Sequence, residues 1–149
     1  MRRMRRILHA TDFSIASGRA FAEALELARR ERARLLVVHV LVPPSPFVAG
    51  EQPSGWLDLQ ARARRDAERR LAAAVAAAER AGVGVEGKLV EGAPAETIAR
   101  VARRDRADLI VIGTHGRSGL GRLFMGSVAA RVLALALCPV LTVRGRSRR

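Results

Sequence analysis

The stretch from Ala107 to Ser127, ADLIVIGTHGRSGLGRLFMGS, constrains this chain more than any other. Its apolar run Leu109-Ile110-Val111-Ile112 is too short for a buried helix and is bounded by Asp108 and Gly113, so it predicts a strand covered on both faces. Glycines follow at 113, 116, 119 and 121, and Gly126-Ser127 then opens an Ala/Val/Leu-rich segment with helical character. A strand, a glycine loop and a helix start form an anion-binding geometry. Glycines let the backbone approach a ligand without a Cβ clash, and the free N–H groups and dipole of the helix start favour phosphate.

Two familiar phosphate motifs are excluded. A Walker A loop requires Lys-Ser/Thr after its last glycine, and this loop contains no lysine. The dinucleotide fingerprint G-x-G-x-x-G is absent as well, because Gly116, Gly119 and Gly121 run in the order G-x-x-G-x-G. The spacing that does occur is G-x2-G-x9-G-S, at Gly113, Gly116, Gly126 and Ser127.

Around this loop the chain alternates. Ile7-Leu8-His9-Ala10 predicts a first strand ending in Thr11-Asp12-Phe13-Ser14, where Ser14 can cap the following helix and free Asp12 for a ligand hydroxyl. Ala20, Phe21, Ala24, Leu25 and Ala28 give residues 16–32 a helical stripe, read as a surface helix without chemistry. Leu35 to Leu41 is a second buried strand, in which His39 is read as a core histidine. The proline-rich segment 43–55 predicts a loop at the ligand edge, either a lid or a plain connector.

Trp56 to Gly82 predicts a long helix with an inner stripe of Leu57, Ala61, Ala67, Leu71, Val75 and Ala78 and with Gly82 near its C-cap. Val85 to Val90 is a weaker, edge-type strand. Pro94 starts a helix with Ile98, Ala99 and Ala102 facing inward, Asp108 to Gly113 is the fourth strand, Ser127 to Leu137 the last helix, and Pro139 to Val143 the fifth strand. This alternation implies one α/β domain over residues 1–149: an open parallel five-stranded sheet, order 3-2-1-4-5, with helices on both faces, of flavodoxin or Rossmann type. In that order strands one and four adjoin. Asp12 and the Gly113 loop then flank one crevice.

The formal charge of +13 comes almost wholly from arginine, since Lys88 is the only lysine among 27 basic residues. Such a charge suits a polyanion partner, but it also follows from Arg replacing Lys on solvent faces, and aromatics for base stacking are few. The arginines at the two ends, residues 2–6 and 144–149, are the candidates for nucleic-acid contact. The lone Cys138 excludes an intrachain disulfide and a cysteine-based metal site. With no signal-peptide core and no apolar run of about 20 residues, a soluble cytoplasmic protein is expected, without membrane contact.

The chain resembles the universal stress protein family over nearly its whole length. The resemblance rests on Ile7 to Ser14, Val38-His39-Val40, Gly113-Thr114-His115-Gly116, Gly126-Ser127-Val128 and Cys138 to Val143. In that family the intact glycine pattern marks the branch that binds ATP. The resemblance implies that Asp12 binds ribose hydroxyls and that Val40 contacts adenine through its backbone. Gly113 and Gly116 would line the ribose-phosphate path, Gly126 and Ser127 would hold phosphate oxygens, and the adjoining Val128 is counted among the nucleotide-binding residues. Arg117 and Arg122 can add charge-assisted bonds or stay solvated, and His115 is read as exposed.

ATP, with or without Mg2+, is the expected ligand, and the expected role is a nucleotide-dependent sensor or adaptor in stress response. Asp12 is the only acid placed in the crevice, so hydrolysis is expected to be slow or absent. A slow ATPase and an arginine-rich nucleic-acid or polyanion binder are the alternatives. Val140, Leu141 and Val143 on an open sheet edge predict a homodimer, as in family members that pair through that strand.

Overall fold

A computed structural model describes residues 3–42, 54–114 and 126–145. The elements run β1 (Arg6–Ala10), α1 (Ile15–Glu31), β2 (Arg34–Leu41), α2 (Trp56–Arg80), β3 (Val85–Glu91), α3 (Pro94–Arg104), β4 (Leu109–Thr114), α4 (Ser127–Leu135) and β5 (Val140–Arg144). All strand pairs are parallel and the order is β3-β2-β1-β4-β5, as the alternation predicts.

Period-two alternation in the strands divides the core into two layers. Ile7, Leu35, Val37, Leu109 and Val111 face α1 and α2, where they meet Ala20, Ala24, Ala28, Leu71 and Ala78. Leu8, Leu36, Val38, Ile110 and Ile112 face α3 and α4, against Ile98, Val101, Ala129 and Val132. Ile7, Leu8, Leu35 and Ile110 are completely buried, each contributing roughly 1.5–3 kcal/mol of transfer free energy. The three inner strands therefore carry most of the cohesion. Alanines on α1 keep that helix close to the sheet.

Two expectations of burial fail. Leu57, placed on the inner stripe of the long helix, is 71% exposed, and the buried residues of α2 begin only at Ala67. The last helix ends at Leu135, two residues earlier than its apolar pattern suggests: the chain turns extended at Ala136, and Leu137 is 81% exposed. The central histidine is also a different one. His9, on β1, is fully buried against Phe21, with Nδ1 donating to the Val111 carbonyl at 3.2 Å and Nε2 without a hydrogen-bond partner among the described residues. Burial pushes its pKa down to about 4, against the opposing effects of the Val111 bond and the charge of Asp12.

The opposite end of the sheet is closed by backbone bonds that tie neighbouring strand starts together, such as Arg34 N to the Arg5 carbonyl (2.8 Å) and Asp108 N to the Arg6 carbonyl (2.8 Å). Among the described residues no helix is long and apolar enough to cross a membrane.

Candidate functional site

At the carboxyl ends of the strands a cavity of about 580 Å³ opens between β1, β2 and β4. This is the crevice where the strand order reverses, the usual ligand position in an open α/β sheet. Of the expected site residues, Asp12, Val40, Gly113, Gly126, Ser127 and Val128 line it. Gly116 and Arg117 lie outside the described residues, as do His115, Arg122 and most of the proline-rich loop.

The first wall is the turn after β1. Thr11 N donates to the Val38 carbonyl at 2.9 Å, prolonging the ladder by one residue. Ser14 caps α1, its hydroxyl accepting from Ser17 N at 3.2 Å. Asp12 is nevertheless not wholly free, since its Oδ1 accepts from Ser14 N at 2.9 Å in an Asx-turn. One carboxylate oxygen thus fixes the turn. No hydrogen bond occupies Oδ2 among the described residues. Phe13 sits at φ 61°, a conformation rare for a bulky side chain, and its amide is held by the Thr11 hydroxyl at 3.0 Å.

The second wall corrects the reading of His39. It is half-buried at the cavity, not in the core, because β2 extends past the helices that cover its middle. Its Nδ1 lies 2.7 Å from the Thr11 carbonyl, which can only accept, so Nδ1 carries the proton. Its ring lies 4.5 Å from that of Phe13, and the Arg70 guanidinium stands 5.8 Å from the Phe13 centroid. Phe13 and His39, their rings tilted by 35°, line the cavity side by side, with Arg70 next to Phe13.

The third wall joins β4 to α4. A Cβ on Gly113 would stand 2.8 Å from the carbonyl carbon and oxygen of Ala16 and 2.9 Å from Ser17 N. Its glycine character therefore serves the approach of α1 to β4, a packing reason that exists apart from any ligand. The α1 helix, read as free of chemistry, is part of the site for the same reason. Ser17 is buried, lines the cavity and donates its hydroxyl to Thr11 Oγ1 at 2.7 Å.

The start of α4 differs from that of α1. Gly126 caps it with no side-chain hydrogen bond, and its first turn contains no acid. The amides of Ser127, Val128 and Ala129 thus lie at the cavity mouth without a capping side chain among the described residues, which leaves donors and a positive dipole end for an anion.

Asp66 was missed. It comes from α2 and brings a second carboxylate to the cavity, bound by Arg70 at 3.0 Å and Arg69 at 3.3 Å. Its i,i+3 and i,i+4 spacing to those arginines is visible in the sequence, but its place at the cavity depends on where α2 crosses the sheet. Among the described residues no group of three or more His, Cys, Asp or Glu could hold a metal ion.

Comparison with known proteins places this geometry in context. The model of the universal stress protein family matches residues 4–144. A universal stress protein of Thermus aquaticus is 42% identical over 139 residues, covering 93% of this chain and 97% of that one. A solved structure of a Methanocaldococcus jannaschii protein superposes with a TM-score of 0.85 at 23% identity, over 99% of this chain and 100% of that one, which is a likeness of fold. A universal stress protein solved in complex with cAMP is 28% identical, with a TM-score of 0.71 over 97% and 100% of the two chains. A family protein of Arabidopsis thaliana with AMP bound is 25% identical, with a TM-score of 0.72 over 96% and 93%.

Proposed function

The chain belongs to the universal stress protein family, and on that premise we propose that the cavity at the carboxyl edge of its sheet binds an adenine nucleotide, ATP in the first place. Relatives of the same fold are recorded with AMP and with cAMP. The observation that carries the reading is the pairing, across one cavity of nucleotide size, of an acceptor-rich turn with an uncapped helix start.

In this reading the unoccupied Oδ2 of Asp12 accepts from ribose hydroxyls. The base lies along β2 near Val40, beside the Phe13 and His39 rings. Phosphates sit over the first turn of α4, where Gly126, Ser127 and Val128 supply amides and Ser127 adds a hydroxyl. Gly116 and Arg117 would complete the phosphate side from the glycine loop. The whole chain acts as one nucleotide-binding unit. Nucleotide occupancy is its output, so the protein serves as a sensor or adaptor in stress response.

The positioning groups suit binding more than turnover. Asp66 is held by two arginines, and Asp12 is committed on one side to its own turn. A homodimer through the β5 edge accompanies this role: Leu141 is exposed there, and Val140 and Val143 are half-buried.

The test is direct. Protein purified from its own cells is denatured, and released nucleotide is identified by mass spectrometry, followed by calorimetry with ATP, ADP and AMP. Adenine nucleotide recovered near one per chain supports the reading, and failure of all three to bind ends it. Phosphate release under Mg2+ of several turnovers per minute, lost in Asp12→Asn, would turn the assignment to an ATPase.

A further inference from the structure

On the helices that flank the cavity several arginines are paired: Arg62 with Asp58 (3.1 Å), Arg64 with Glu91 (2.6 Å), Arg70 with Asp66 (3.0 Å) and Arg131 with Glu96. At the other edge, where helices end and strands begin, Arg5, Arg32, Arg34, Arg103 and Arg106 are all exposed. None makes a side-chain ion pair or hydrogen bond among the described residues. We propose that this amino edge of the sheet, from the start of β2 across β1 to the start of β4, is a binding surface for a nucleic-acid phosphodiester backbone.

Part of the charge has a bland cause. Arg29, Arg30, Arg103 and Arg104 occupy last helical turns, where cations complement the helix dipole. That cause does not reach Arg5 and Arg34, which precede or open strands; it extends to Arg32 and Arg106, at and just past the helix C-caps, but does not account for their backbone. Arg32 and Arg106 adopt φ values of 52° and 53°. At the equivalent turn after α2 the chain uses Gly82, at φ 77°, the ordinary choice for a left-handed residue. Two helix-to-strand turns thus hold arginine where the backbone favours glycine. Neither side chain gains a hydrogen bond or ion pair among the described residues.

The surface is continuous. Arg6 and Arg34 are register partners on adjacent strands, and a cavity of about 160 Å³ lies between them. The two acids of that cavity, Glu86 and Asp105, lie 3.6 Å and 2.8 Å from Lys88, and Asp105 is also paired with Arg104 at 3.6 Å. Neighbouring strands are about 4.8 Å apart, so the three strand starts span about 10 Å, the reach of about two to three phosphates of one strand. Guanidinium forks suit phosphate oxygens.

The test uses full-length protein and fluorescein-labelled 20-residue DNA and RNA oligonucleotides, single-stranded and duplex, titrated by anisotropy at several salt concentrations. Binding that weakens steeply with salt is expected. The double variant Arg32→Gly, Arg106→Gly relieves the left-handed backbone, so its thermal midpoint should hold or rise. Its affinity should fall about tenfold, with a salt slope shallower by about 2. Four outcomes would overturn the proposal: no oligonucleotide binding at about 50 mM salt, where phosphate contacts are strongest, unchanged affinity in the double variant, a loss produced equally by deleting residues 146–149 alone, or binding confined to phosphatidylserine vesicles.

Discussion

The Nδ1 of His39 donates to the carbonyl of Thr11 across 2.7 Å, which fastens the end of β2 to the turn that presents Asp12. The bond links two walls of the cavity that sequence separation keeps 28 residues apart. Its strength therefore bears on ligand affinity without any need for the imidazole to touch the ligand.

Replacing His39 by alanine is expected to loosen that turn and weaken ATP binding by about 2- to 10-fold, the range of a single net hydrogen bond of about 0.5–1.5 kcal/mol. Calorimetry with ATP checks this. An affinity equal to that of the parent protein would show that the turn is held by its other bonds alone.

Asp12→Asn and Asp12→Ala should separate the two duties of this residue. Asparagine keeps an acceptor for Ser14 N, so its melting temperature should stay near the parent value while ATP affinity falls. Alanine removes both, and stability should drop by about 0.5–2 kcal/mol as well, in the range of a lost cap. Thermal unfolding and calorimetry on the pair give the comparison.

Gly113→Ala inserts a methyl group 2.8 Å from the main chain of Ala16. Backbone cannot yield as a flexible side chain can, so a loss of about 1–3 kcal/mol is expected. Urea unfolding measures it. Wild-type stability would mean that α1 can shift outward at little cost.

His9 gives the fold a pH dependence. It stays neutral when folded down to about pH 4, whereas in the unfolded chain it titrates near 6.5. Between those values the unfolded state binds more protons. Stability is therefore fully present above about pH 6.5 and declines as pH falls toward 4, by up to about 3 kcal/mol. Urea midpoints at pH 7 and pH 4.5 should differ accordingly, and His9→Leu should flatten the difference. A parent protein equally stable at both values would show that His9 is hydrated or repacks when charged.

The sequence by itself determined the element order, the parallel sheet and its strand order, because apolar runs and helical stripes report local conformation and right-handed crossovers leave few topologies. It also placed Asp12 and Gly126-Ser127 at one edge, since strand ends and helix starts carry their own residue signals. Tertiary structure alone decided which histidine is buried, as His9 and His39 both lie in apolar strands and differ only in how far the helices cover them. It likewise decided that Asp66 reaches the cavity, that Gly113 answers to Ala16, and that Arg5, Arg32, Arg34, Arg103 and Arg106 share one edge. Those outcomes depend on where a helix crosses the sheet and on what packs across it, and no spacing along the chain encodes either.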